Sequence, residues 1–297
     1  MKIAALFELF YEYLKNEKKV SPNTFQAYKS DLLCFHSYLI ENDLSDLEVS
    51  PSDIESFKTD MKDKGRAVSS VSRCLSSVRA LYTFLLKKGF VSENPARLVK
   101  NDKGEEKHID ILTADEIDTL IGQPVGSDEK SVRDRALLEL LYATGLKVSE
   151  IISLDYTDFN ATLSTIRCKS TAGLKDRVIP LYPRIKKLLS NYISFSRKFL
   201  VFDDDEMALF VNVNGSRMTR QGVWKLIKHY AESAGIKKEI TPCTLRHSFA
   251  THLLENGADL SLLCDVLGHS DISSTNVYVN LLKNKSNDSL LKFHPHA

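Results

Sequence analysis

The stretch Thr244-Leu245-Arg246-His247-Ser248-Phe249-Ala250-Thr251-His252-Leu253-Leu254-Glu255-Asn256, with Gly257-Ala258-Asp259 after it, decides how this chain is read. It reads as a helix carrying an arginine and a histidine in its first turn. Leu267-Gly268-His269 closes a further helix, with Gly268 near its end. Tyr278 follows on a polar run of Ser273, Ser274, Thr275 and Asn276. Arginine presents a planar fork to phosphate oxygens, histidine donates near neutral pH, and tyrosine can be a covalent nucleophile. Neither a glycine-rich phosphate loop nor an acidic metal-binding cluster accompanies them. The pattern points away from nucleotide hydrolysis and two-metal nucleases, and towards phosphoryl transfer with no metal and no cofactor.

Outward from this stretch, the chain after Thr219 reads as helical to its end. Before it, β-branched residues alternate in Thr165-Ile166-Arg167-Cys168-Lys169 and Arg177-Val178-Ile179-Pro180-Leu181, which flank a turn containing Gly173. That is a hairpin signal. Phe210 to Val213 with Asn214-Gly215 is another strand and turn. Further back, Val148 to Leu154 reads as a short helix, and Ser131 to Tyr142 as a longer one broken at Gly145. Thr113-x-x-Glu116 is a capping box that opens this second domain, 108–297. Lys100 to Lys107 (KNDKGEEK) is short, charged and contains glycine, so 101–107 reads as a linker.

Residues 1–100 read as helices alone. The first is amphipathic, with Leu6, Phe7, Phe10, Tyr11 and Leu14 on one side. Ser21-Pro22 and Ser50-Pro51 each combine a capping serine with a proline suited to the first helical position. After Ser21, Phe25, Tyr28, Leu32, Phe35 and Leu39 recur at three- and four-residue steps. A fourth helix, Val68 to Lys88, buries Val71, Leu75, Val78, Leu81, Tyr82 and Leu85. Its other face carries Arg66, Ser69, Ser70, Arg73, Ser76 and Ser77. Arginines among short hydroxyls suit close approach to phosphates, and a solvated helix face reads equally well.

At 297 residues, 43% hydrophobic and 27% charged, the chain suits two globular domains. No apolar run approaches ~20 residues, and the N-terminus lacks the apolar block of a signal peptide. A cytoplasmic protein without a membrane partner is expected. The net charge of +1 argues mildly against nucleic acid as a partner, although a local patch matters more than a sum. Five scattered cysteines, with no C-x-x-C pair, predict neither disulfides nor a zinc site. Most read as small buried hydrophobes.

Taken together, Thr244–Asn256, Gly257-Ala258-Asp259, Leu267-Gly268-His269 and Tyr278 resemble the tyrosine recombinase, or phage integrase, family, and within it the Xer recombinases. The resemblance extends over nearly the whole chain. Ser21–Leu39 is similar to the opening of the family's DNA-clamping domain. Ala143-Thr144-Gly145-Leu146 and Val148-Ser149-Glu150 resemble its first catalytic motif. His294-Pro295-His296-Ala297 resembles its C-terminal tail. The implied fold is mainly α: an N-terminal four-helix SAM-like DNA-clamping domain, plus an α+β catalytic domain with a small antiparallel sheet and a docking tail, 281–297. The two domains are expected to form a C-shaped clamp around duplex DNA.

The resemblance also implies roles. Arg246 matches an arginine that grips the scissile phosphate, His269 a histidine that donates to it, and Tyr278 the nucleophile. Lys169 matches the hairpin lysine that protonates the leaving 5′ oxygen. It is preferred to Lys175, which the lengthened turn leaves open. Two positions depart from the pattern. Lys147 stands for the first arginine, keeping the charge but losing the two-pronged grip. Cys243 stands for the first histidine and is a weak donor. A small buried thiol filling the histidine's space is expected there. Glu150 reads as an orienting partner for Lys147 or Arg246, His247 and His252 as supporting or packing residues, Trp224 as core, and His294 and His296 as exposed.

The implied activity is site-specific recombination of double-stranded DNA through a 3′-phosphotyrosyl intermediate. It would run in a homotetramer, or in a heterotetramer with a second recombinase. Lys147 and Cys243 keep open a weakened or inactive DNA-binding protein with an architectural role. Type IB topoisomerase activity is a further alternative, disfavoured by the full-length layout.

Overall fold

The structure, a computed structural model, describes residues 3–44, 48–102, 110–169, 176–268, 275 and 278. The chain divides into two compact units, Met1–Lys107 and His108–Ala297.

In the first unit α1 (Ile3–Glu12) runs into a wider turn over Tyr13–Glu17, and α2 (Pro22–Glu41), α3 (Pro51–Asp63) and α4 (Val68–Lys87) complete a helical bundle. Ser21 accepts the Thr24 backbone N–H at the start of α2. Ser50 and Asp53 close a reciprocal box at the start of α3. These caps satisfy backbone donors that a first helical turn leaves open. The core comes from the expected stripes: Leu6, Phe10 and Leu14 meet Leu32, Phe35, Leu39, Leu75, Val78 and Leu81, all fully buried. Phe25 and Tyr28 pack at its margin. Ser77, expected on the outer face of α4, is buried instead. Its hydroxyl donates to buried Asp31, which a purely apolar reading of the α2–α4 seam misses.

The second unit begins with the box Thr113–Glu116, which opens α5 (Ala114–Gly122). Then come α6 (Glu129–Thr144), α7 (Val148–Ser153), the strands β1 (Phe159–Asn160), β2 (Thr165–Cys168) and β3 (Arg177–Pro180), α8 (Pro183–Asn191), α9 (Arg197–Leu200), α10 (Arg220–Ser233), α11 (Pro242–Glu255) and α12 (Leu260–Leu267). The strands form one antiparallel sheet in the order β1-β2-β3, with Ile166 opposite Ile179 and Cys168 opposite Arg177. The helical α8–α9 segment has no counterpart in the sequence reading. It buries Ile185, Leu189 and Tyr192, and Tyr192 stacks on Phe210 at 5.4 Å.

The strand expected at Phe210–Val213 is reduced to a single bridge, Val211 to Arg217. The Asn212 carboxamide oxygen accepts the backbone N–H of Asn214 and of Ser216, so the chain turns back before a ladder can extend. Cys74, Cys168 and Cys264 are buried, and Cys34 is half-buried. Burial pushes the Cys74 thiol up to about 12 and that of Cys168 to about 11, so both stay protonated at neutral pH. Among the described residues no helix is long and apolar enough to cross a membrane.

Candidate active site

Two chain reversals converge on Arg246. Helix α6 ends at Gly145, whose backbone is left-handed at φ 59°. A β-carbon at this position would run into the Phe249 ring, so glycine is required by space as well as by conformation. Helix α12 ends in the same way at Gly268, φ 63°, where a β-carbon would lie 2.7 Å from the Arg177 guanidinium. The carbonyls freed by these two ends are the ones Arg246 takes. Its Nη1 donates to the Gly145 oxygen and its Nη2 to the Leu267 oxygen at 2.9 Å. Arg246 is buried, and burial lowers its pKa against the fields of Tyr278 and Glu150, which raise it.

Beside it lies an ion pair that the sequence reading did not identify. Arg177 meets Glu150 through two parallel hydrogen bonds, 2.9 and 3.0 Å, and its Nε donates to the Val266 oxygen at 2.8 Å. Glu150 also accepts the Lys147 backbone N–H at 2.8 Å. Burial would raise the Glu150 carboxyl. The Arg177 hydrogen bonds, the Lys147 N–H and the charges of Arg177 and Arg246 outweigh that and hold it below the usual range. The expected role of Glu150 is therefore redirected: its main partner is Arg177, and Arg246 stands 4.0 Å away. Arg177 sits in phase with buried Ile179 on β3, and an inward-facing arginine on a strand was the signal available for it.

Lys147 is the residue at the start of α7, its side chain exposed, two residues beyond the carbonyl that Arg246 grips. Cys243, in the first turn of α11, is exposed, which corrects the expected buried thiol. The buried side of that turn is supplied by Thr244, Leu245 and Ser248, so residue 243 faces outward. A thiolate at this position would raise the pKa of both Arg246 and Tyr278.

Tyr278 is 2% exposed and packs with Ala250, Leu263 and Leu267. Its hydroxyl lies 3.0 Å from His247 Nδ1 and takes a hydrogen bond from Arg246. Burial raises its pKa, and the charge and hydrogen bond of Arg246 offset only part of this. His247 is drawn the other way, lowered by burial and then by the charge of Arg246. Thr275 is tied to buried Cys264, and its carbonyl accepts the Tyr278 backbone N–H at 3.1 Å.

Lys169, just after β2, donates to Asp155 at 2.8 Å and pairs with Asp158 at 3.1 Å. The hydrogen bonds it donates to these two carboxylates raise its pKa. Arg217 Nη2 holds the other Asp155 oxygen at 2.6 Å. His269, Lys175, His294, His296 and the tail 281–297 lie outside the described residues. His252 bonds the Tyr142 hydroxyl at 2.9 Å and ties α11 to α6, in keeping with a supporting role. Trp224, expected in the core, is instead 42% exposed, with Lys228 one turn on lying over its ring.

In the first unit Arg66, just before α4, and Ser69, Arg73 and Ser76 along it are exposed. They are not equivalent. Arg73 is tied to the buried Asp31 carboxylate at 2.8 Å, and the Ser76 hydroxyl returns to the Ser72 carbonyl.

Comparison with known proteins follows this division. Residues 110–285 match the phage integrase family, and residues 7–89 match the phage integrase N-terminal SAM-like domain. Tyrosine recombinase XerD of Oceanobacillus iheyensis is 43% identical over 293 residues, 98% of each chain. XerD of Staphylococcus epidermidis is 39% identical over 98% of this chain and 99% of its own. Among solved structures, XerH recombinase in a post-cleavage complex with its difH substrate aligns at a TM-score of 0.76 and 21% identity, over 90% of this chain and 78% of its own. That likeness speaks for the fold, and the two XerD relatives for descent. This chain belongs to the phage integrase family, as a Xer-like tyrosine recombinase.

Proposed function

We propose that this recombinase exchanges strands between double-stranded DNA sites by transesterification through Tyr278. The tyrosine oxygen attacks a backbone phosphorus, a 3′-phosphotyrosyl bond forms, and the 5′ oxygen leaves as a hydroxyl. A 5′ hydroxyl from the partner duplex reverses the step. The bond energy is kept in the protein–DNA link, so the scheme calls for no nucleotide and no metal. The observation that carries this reading is the placement of the Tyr278 hydroxyl against Arg246, whose two backbone bonds fix the guanidinium. A fixed cation stabilises charge developing on phosphorus without reorganising during the reaction. Arg246 and His269 grip the phosphate oxygens, and Lys147 adds charge from the rim. Lys169 protonates the leaving oxygen. Cys243 is a weak donor where the family has histidine.

The two units together would clamp duplex DNA, with Arg66, before α4, and Ser69, Arg73 and Ser76 of α4 meeting phosphates. The reaction calls for four protomers on two sites, identical or shared with a second recombinase, with 281–297 docking on a neighbour. A cytoplasmic location goes with this substrate. The test is single-turnover cleavage of a nicked suicide duplex, enriched from a randomised pool by binding to the protein. The unaltered protein should accumulate a covalent adduct. Tyr278→Phe should bind the same duplex and form none. An adduct from Tyr278→Phe would refute the assignment. Binding with no adduct from the unaltered protein would favour an architectural DNA-binding role.

A further inference from the structure

We propose that His247 is the general base of this site and takes the phenolic proton of Tyr278 as its oxygen attacks phosphorus. The inference rests on the transesterification reading above and adds to it the destination of the proton. The hydrogen-bond inventory gives the direction. Arginine has only donors, so the Tyr278 oxygen accepts from Arg246 and its own proton must point elsewhere. The acceptor placed for it is His247 Nδ1, at 3.0 Å. Accepting at Nδ1 fixes the tautomer with the ring proton on Nε2. Burial and the Arg246 charge keep the imidazole neutral at neutral pH, so it is free to accept. Tyr278, with its pKa raised, holds its proton until attack.

The position of His247 on its helix supports the same role. Residues 243 and 247 are one turn apart on α11 and share a face. Cys243 removes the imidazole expected in the first turn, and His247 supplies one a turn later, against the nucleophile. The step balances. The Tyr278 O–H bond breaks as the O–P bond forms, and Nδ1 keeps the proton. The P–O5′ bond breaks, and its oxygen takes a proton from a separate donor, Lys169 in the reading above. In the reverse step the imidazolium returns its proton to the departing tyrosine oxygen.

Among the described residues, the titratable and charged groups around this pair are Arg246 and Cys243 on α11, with Glu150 of α7 and Arg177 of β3 acting through Arg246. From α12 come apolar Leu263 and Leu267, and the Cys264 thiol engaged with Thr275.

The test compares His247→Asn, and His247→Gln beside it, with the unaltered protein. Adduct formation on the selected suicide duplex is followed from pH 5 to 8, with melting temperature and DNA binding as controls. The unaltered rate should be flat through neutral pH and fall below the ordinary histidine value of 6.5, as Nδ1 becomes protonated. The variants should bind normally, cleave about 10²–10⁴-fold more slowly, and lose the acid limb. A histidine that merely packs would not shape that profile. A second measurement follows the His247 pKa by NMR in the DNA-free protein. Tyr278→Phe removes the donor to Nδ1 and should raise it. Variants with the unaltered rate and profile, beside an active unaltered protein, would overturn the base role alone. A His247 pKa that Tyr278→Phe leaves unmoved would do the same. No adduct from the unaltered protein would remove the transesterification reading and the base role with it.

Discussion

Glu150 has the densest set of partners in the site: two arginines and the backbone start of α7 depend on one carboxylate. Its pKa is held down in the fold, so the sign of its contribution follows. The stabilisation is present in full above the ordinary glutamate value of 4.5 and is lost as pH falls through the lower folded value. Glu150→Gln should therefore cost about 3 kcal/mol at neutral pH, since it leaves half-buried Arg177 against a neutral partner. The gap to the unaltered protein should narrow as both are acidified below that value. Thermal melts across pH check this, and a gap that stays constant with pH would count against the pairing. At the two departures the structure changes an expectation. Cys243 is exposed, so Cys243→His meets no packed wall, and overpacking is not the obstacle there. Lys147 is exposed as well, with its backbone already fixed by Glu150. Cys243→His and Lys147→Arg should each raise single-turnover cleavage, by up to about 10²-fold where a lost phosphate donor is restored. A cleavage rate lowered by both changes would mean that the site has adapted to lysine and cysteine. The string from Thr244 to His252 made the Arg246 helix legible from sequence. The Arg177 partnership was not legible, because Glu150 and Arg177 lie 27 residues apart, on α7 and β3, and only tertiary folding brings them together.

Among elements, the hairpin poses the main question. Lys169 follows Cys168, the last residue of β2, just where the paired strands stop, and is held by Asp155 and Asp158 beside β1. The same two carboxylates that raise its pKa make it a poorer acid while it stays there. The Lys169 side chain is close to half exposed, so solvent screens the pairing and a DNA phosphate can compete for the ammonium. Lys169→Ala should slow cleavage of an ordinary duplex by about 10²–10⁴-fold. It should have little effect on a duplex in which sulfur replaces the leaving 5′ oxygen, because a thiolate leaves without a proton. Equal losses on both duplexes would move the acid role elsewhere, Lys175 being the candidate named from sequence. The period-two pattern made both hairpin strands readable. It gave no hint of the carboxylate pair, since Asp155 and Asp158 belong to a short turn before β1. The same rule overreached at Phe210–Val213, where Asn212 bonds its own turn and stops the strand.

At the scale of the whole molecule, a net charge of +1 gives little long-range attraction for DNA, so binding must draw on particular cations. Composition alone argued against nucleic acid, and it misled because a sum hides which charges are already paired. Along α4 the distinction can be tested. Arg66 is exposed, with no ion pair among the described residues, whereas Arg73 shares its charge with buried Asp31. A phosphate contact made by one cation contributes about one unit to the slope of log affinity against log salt. Arg66→Ala should flatten that slope by about one unit and weaken binding alike on all sequences, with the melting temperature unchanged. Arg73→Ala should flatten it less. It should also lower the melting temperature, because among the described residues the buried Asp31 carboxylate keeps only Ser77 as a side-chain hydrogen-bond partner once the arginine is gone. Salt titrations of DNA binding, read beside melts of both variants, separate the two. Equal slopes for Arg66→Ala and the unaltered protein would return this face of α4 to plain solvation, and the clamp would have to find its phosphates elsewhere.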